Sequence, residues 1–237
     1  MKDKNKHKPE EPKSIYVRVL KKYCWLLIGM VPTLIIIALL LYKPAGYIPA
    51  DKTDVHKQPE QLSTNLTNRL MPEFYNGVQR SEPFEMTIRE KDINELIAQS
   101  EWPRNSDGFA FYAPKAILAP DTISMMSTVV KSGIELVLTI SAEPAFNEDG
   151  LLSFNIDKVK IGAMNITPLA AIVAKKTYEQ TRPDVVRPDD ISALIAGSIF
   201  ENKPFEPIFR VRGRNVRLEN IKIDSEELTV RFLPIPD

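Results

Sequence analysis

Residues 23–42 read YCWLLIGMVPTLIIIALLLY, twenty in a row without a charge. At about 1.5 Å per residue, a helix of that length covers the roughly 30 Å hydrocarbon core of a bilayer. Its apolar character runs all round, which argues against an amphipathic helix lying on a water-soluble core. A cleaved signal peptide has a shorter apolar core, of roughly 7–15 residues, and a small-residue cleavage site. Here the run ends in Leu40, Leu41, Tyr42, Lys43 and Pro44 with no such site close behind. The sequence therefore predicts an uncleaved anchor. Pro32 falls mid-span, where membrane helices tolerate proline because neighbouring groups re-satisfy the freed carbonyl. Tyr23, Trp25 and Tyr42 stand near the two ends, where amphipathic rings favour the interface.

Charge sets the expected direction. Residues 1–22 carry eight basic side chains (Lys2, Lys4, Lys6, Lys8, Lys13, Arg18, Lys21, Lys22) against Asp3, Glu10 and Glu11. After the span, Lys43, Lys52 and Lys57 are offset by Asp51, Asp54 and Glu60. The positive-inside rule keeps the N-terminus in the cytoplasm and carries the rest across the cytoplasmic (inner) membrane, giving a periplasmic or other extracytoplasmic domain. The whole chain balances at 31 basic and 31 acidic residues, so the part beyond the tail has a net charge of −5. The expected organisation is a basic tail at 1–22, a transmembrane helix at 23–42, a linker at 43–82 that holds the domain off the bilayer, and a folded domain at 83–237.

Composition excludes several chemistries. The only cysteine, Cys24, lies in the apolar run, so the outer domain has no disulfide, cysteine-ligated metal or thiol nucleophile. The two histidines, His7 and His56, fall in the tail and the linker. A Ser-His-Asp triad and a histidine metal site have no material to be built from. No phosphate-binding glycine loop appears. The pairs Asp189-Asp190 and Glu226-Glu227 sit at element starts, where acidic residues suit a helix N-terminus. No catalysis, cofactor or metal is expected. A net acidic domain outside the cytoplasm is not expected to bind nucleic acid. The sequons at Asn65-Leu66-Thr67 and Asn165-Ile166-Thr167 matter only in a eukaryotic secretory route.

The 19 prolines and 9 glycines suggest extended strands punctuated by loops. A short helix is expected within 61–80. Thr87 to Glu90 fits a capping box, and Ile93, Leu96 and Ile97 follow helical spacing, which predicts a helix over 88–100. Strands are expected at 109–118, 122–130, 133–146 and 151–161. Ile134, Leu136, Leu138 and Ile140 alternate in one; Leu152, Phe154 and Ile156 alternate in the next, with Val159 and Ile161 out of step. That phase change predicts a bulge near Asp157-Lys158. The turn Asn147-Glu148-Asp149-Gly150 joins the two into an antiparallel hairpin. Helices are expected at 168–180, opened by Thr167-Pro168, and at 188–201. Strands at 206–212, 215–223 and 227–233 close the chain. The fold class is α+β, a mainly antiparallel, curved sheet packed on helices.

Three segments resemble a known group. Residues 84–97 (FEMTIREKDINELI) look like its opening helix, Val159 to Pro168 (VKIGAMNITP) like the turn into its long helix, and 216–233 like its closing strand pair. The group is the tubular lipid-binding (TULIP-like) superfamily, with its anchored YpmS-type and YceB-type bacterial members. The resemblance spans roughly residues 84–233. Thr167-Pro168 departs from the usual Leu-Pro, and 181–205 has no counterpart. The resemblance implies a sheet wrapped on a helix with an apolar groove for an acyl chain.

Two sets of side chains are candidates for function. Leu169, Ile172 and Val173 form an apolar stripe that is either ordinary core or, with Met164, the lining of a lipid groove; Met125 and Met126 are further candidates. Arg210, Arg212 and Arg214 alternate, so on one strand they share a face. Arginine forks suit a phosphate headgroup or an acidic partner, while the plain reading is a solvated face paired with Glu219. The expected partner is membrane lipid, and the competing expectation is a bitopic scaffold for an envelope protein complex.

Overall fold

The computed structural model describes residues 15–44, 47, 66–106, 108–181 and 191–235. The tail and most of the expected linker lie outside the described residues. The chain divides at Leu39–Leu40 into two units. The first contains α1 (Ile15–Leu40), which runs unbroken through Pro32. The Thr33 hydroxyl donates to the Gly29 carbonyl at 2.9 Å, one turn back. Its described side chains from Ile28 to Leu39 are exposed. Among the described residues no helix is long and apolar enough to cross a membrane; the side chains of 25–27 in α1 fall outside them.

The second unit is α+β and holds two antiparallel sheets. The smaller consists of β1 (Phe84–Arg89), β9 (Ile208–Val211), β10 (Arg214–Asp224) and β11 (Glu227–Ile235), in the order β1-β11-β10-β9. Met86, Val216, Val230 and Phe232 point to one face and meet Leu70 and Val78 there. Val78 belongs to α2 (Met71–Gln79), and Leu70 closes a π-helical turn (Leu66–Leu70) just before it. Phe232 is ringed by Phe74 at 5.2 Å, Phe84 at 5.3 Å and Phe209 at 5.9 Å. Leu70, Phe74 and Val78, which precede the expected boundary at 83, help build this core.

The expected helix over 88–100 also shifts. Phe84–Arg89 is a strand, and α3 (Glu90–Ala98) begins only at Glu90. Phe84, Met86 and Ile88 alternate with Glu85, Thr87 and Arg89, and β1 pairs with β11 from Phe84↔Phe232 to Arg89↔Glu227. This long-range pairing overrides the local capping signal, and the cap moves two positions on. The Arg89 N–H donates to the Asp92 carboxylate at 3.2 Å.

The larger sheet holds β2 (Arg104–Ser106), β3 (Phe109–Phe111), β4 (Lys115–Ala119), β5 (Thr122–Lys131), β6 (Ile134–Phe146), β7 (Leu152–Ile161) and β8 (Met164–Asn165). Its order is β2-β3-β5-β6-β7-β8, with β4 also pairing β5. The single strand expected at 109–118 is two, β3 and β4, both laid along β5. Between them Tyr112 keeps one bond to Thr128 at 2.9 Å, and Pro114 has no N–H to give.

The expected bulge is present. Ser141 opposes Lys158 and Ala142 opposes Ile156, leaving Asp157 as the extra residue. Phe154 and Ile156 on one side of it therefore share a sheet face with Val159 and Ile161 on the other. On β6 the more deeply buried face belongs to Val137, Thr139 and Ser141, while Ile134 and Ile140 of the alternating apolar set are exposed.

α4 (Thr167–Thr181) and α5 (Ile191–Glu201) lie against β7. They supply partners to its outer edge. The Phe154 N–H donates to the Ser198 hydroxyl at 2.8 Å, and the Val159 N–H to the Thr167 hydroxyl at 2.8 Å. Leu152 and Phe205 exchange two backbone bonds of 2.9 Å. This places most of the segment for which the resemblance has no counterpart; the expected helix residues 188–190 lie outside the described residues. The two sheets meet at β4. Asn94 of α3 bonds both backbone groups of Ala116, at 2.9 and 2.7 Å. The Leu118 N–H donates to the Glu90 carboxylate at 2.8 Å.

Candidate functional site

The stripe on α4 is not core. Leu169, Ile172 and Val173 are 61%, 69% and 56% exposed. A hydrogen-bonded anchor fixes the start of α4. Thr167 is held on Val159, and Asn165 accepts from the Thr167 N–H at 3.0 Å and from its hydroxyl at 2.6 Å. Lys175 and Lys176 follow one turn on and are exposed as well. Met164 is half-buried on β8, paired with Ile161. Met125 and Met126 are half-buried on β5. The structure thus leaves the α4 stripe in solvent and keeps the methionines partly covered in the sheet.

The arginine run does not form one strand face. β9 ends at Val211, and Arg212-Gly213 make a two-residue turn with φ of +49° and +87°. Such a turn needs two positive φ values, which glycine supplies without strain at the second position. Arg210 and Arg214 consequently stand on different strands, opposite Asn215 and Val211.

Each arginine has its own local task. Arg214 donates to the carbonyls of Gln79 at 2.9 Å and Val78 at 3.5 Å, at the C-terminus of α2. A cation there satisfies orphan carbonyls and opposes the helix dipole. The Arg212 guanidinium lies 3.8 Å from the centre of the Tyr75 ring. Arg210 donates to the Gly213 carbonyl at 3.4 Å. The expected partner Glu219 pairs instead with Arg231, at 3.2 Å. Arg212 and Arg214 line a cavity of about 300 Å³ together with Tyr75, Val78, Gln79 and Val211. Their forks are largely turned to holding α2 on the hairpin.

A segment of the expected linker turns out to be built into the fold. Tyr47 is 5% exposed, and its hydroxyl is 2.9 Å from the Thr128 hydroxyl on β5. Its N–H closes a turn on the Pro44 carbonyl at 3.0 Å, and Lys43 pairs with Glu135 on β6 at 3.4 Å. A lone tyrosine in a proline-rich stretch was the only signal in the sequence, and periodicity does not register it.

Among the described residues two lysines have raised pKa values. At the bulge, Lys158 is lifted above the ordinary lysine value by the hydrogen bond and charge of Asp157, 2.8 Å away. On β10, Lys222 is lifted by the hydrogen bond and charge of Asp224, at 2.7 Å. Both are surface pairs. Among the described residues no three His, Cys, Asp or Glu side chains gather closely enough to hold a metal. Comparison with protein-family models, with curated proteins and with solved structures finds no match to this chain.

Proposed function

We propose that this chain is a single-pass membrane protein whose extracytoplasmic domain binds or passes a lipid and performs no catalysis. The observation that carries the reading is the exposed stripe Leu169, Ile172 and Val173 on a helix fixed at its start by Thr167. Covering what remains exposed of each such side chain gains about 1–2 kcal/mol, so the stripe favours an apolar occupant. Lys175 and Lys176 beside it suit an anionic headgroup. The twenty-residue uncharged run, most of it in α1, supports a tether that keeps this surface near its ligand.

The test is photocrosslinking. The full chain is reconstituted in vesicles holding a phospholipid with a photoactivatable acyl chain, and adducts are mapped by mass spectrometry. Adducts on α4 that disappear in Leu169→Ser/Ile172→Ser, with the thermal transition unchanged, support the reading. Adducts confined to α1 refute it. In cells, a single dominant protein crosslink from α4 would favour the scaffold instead.

A further inference from the structure

We infer that the end of the larger sheet carrying the β5–β6 turn rests on the headgroup layer of the bilayer, held there by the strap Lys43–Tyr47. This rests on the reading that the chain leaves the bilayer at Tyr42. A free linker of forty residues would let the domain wander, but the strap shortens the free path. Lys43, the residue directly after Tyr42, is already paired with Glu135, one residue past Ile134 at the turn. Tyr47 is then buried against Thr128. Five residues span at most about 18 Å, so Thr128 cannot lie farther than that from Tyr42 plus one side-chain contact.

The turn itself has the composition of an interfacial contact. Ile134 is 56% exposed at its edge. Lys131 stands before it, its ammonium 3.9 Å from the centre of the Phe109 ring. A cation over an aromatic beside an exposed aliphatic side chain matches the headgroup boundary, where polar tips and apolar bodies are both accommodated. The turn at the opposite end of β6, Asn147 to Gly150, is polar. It lies about 40 Å away along the thirteen residues of β6.

The experiment uses the full chain with Cys24→Ser, in vesicles of phosphatidylethanolamine and phosphatidylglycerol. A fluorophore is attached at Ile134→Cys or, as the distal control, at Glu148→Cys, and nitroxide-headgroup lipid is added as quencher. The inference expects a large loss of fluorescence at 134 and none at 148. Lys43→Glu should weaken quenching at 134, and Lys43→Glu/Glu135→Lys should restore it. Tyr47→Ala should abolish it while the vesicle-bound fraction stays constant. Equal quenching at both sites, or none at 134 in chain that resists carbonate extraction, overturns the inference and leaves the anchor standing. Chain released by carbonate overturns both together.

Discussion

Gly77 in α2 is the position at which the packing of the smaller sheet can be tested most sharply. A Cβ built there falls 2.5 Å from two ring carbons of Phe84 and 2.6 Å from a third. In an exposed helix, Gly→Ala gains about 0.8–1 kcal/mol of propensity. Overpacking a core costs about 1–3 kcal/mol. The overlap reaches the root of the ring, and the ring is itself held by Phe74 at 6.1 Å and Phe232 at 5.3 Å. Neither a rotamer change nor a small ring shift relieves it, so the cost belongs at the upper end of that range. Gly77→Ala should therefore lose about 2 kcal/mol net. The assay is urea unfolding of the full chain in lipid nanodiscs, followed by Trp102 emission in a Trp25→Phe background. Phe84→Leu removes the obstacle, so the double variant should show a favourable coupling of about 1 kcal/mol or more. A neutral or stabilised Gly77→Ala, or additive single and double effects, would refute the close seating of α2 on β1.

Other perturbations separate the remaining contacts. Arg214→Ala strips two carbonyls at the end of α2 of their donor and should cost about 1 kcal/mol; Arg214→Lys should recover only part of that, read by hydrogen exchange over 71–79. Ser198→Ala leaves the Phe154 N–H without its acceptor and should destabilise by about 1–3 kcal/mol, measured by thermal unfolding. The raised pKa of Lys222 means its pairing with Asp224 contributes fully below the unfolded lysine value of about 10.4 and fades as pH climbs through the higher folded value. Carbon-13 NMR of the lysine Cε should show that titration falling towards the ordinary value in Asp224→Asn. No fading of its effect at alkaline pH would contradict the sign.

What was legible in the sequence was local. The hairpin of β6 and β7 announces itself by alternation and an Asn-Gly-bounded turn, and Asp157 betrays the bulge because the phase of the apolar residues slips there. β1 was hidden by its neighbours in sequence: Thr87 and Glu90 imitate a cap, while the partner that makes a strand of Phe84–Arg89 lies more than 130 residues away. The arginine run misled because alternation over 210–214 ignores Gly213, the one residue suited to turn the chain. The α4 stripe was legible as a stripe, yet only tertiary structure could tell that no described residue buries it. Tyr47 was illegible altogether, since a single aromatic carries no period.

The partners along the outer edge of β7 bear on how copies of the chain meet. Domains tethered in a plane, as proposed, diffuse in two dimensions and collide side-on far more often than free ones. A strand with open N–H and C=O groups would act as a template in such collisions and seed a growing ribbon. Leu152, Phe154 and Val159 already bond to Phe205, Ser198 and Thr167 of their own chain. An incoming strand must break one of those bonds for each new one it makes there. Addition at those three positions therefore brings no net gain in hydrogen bonding.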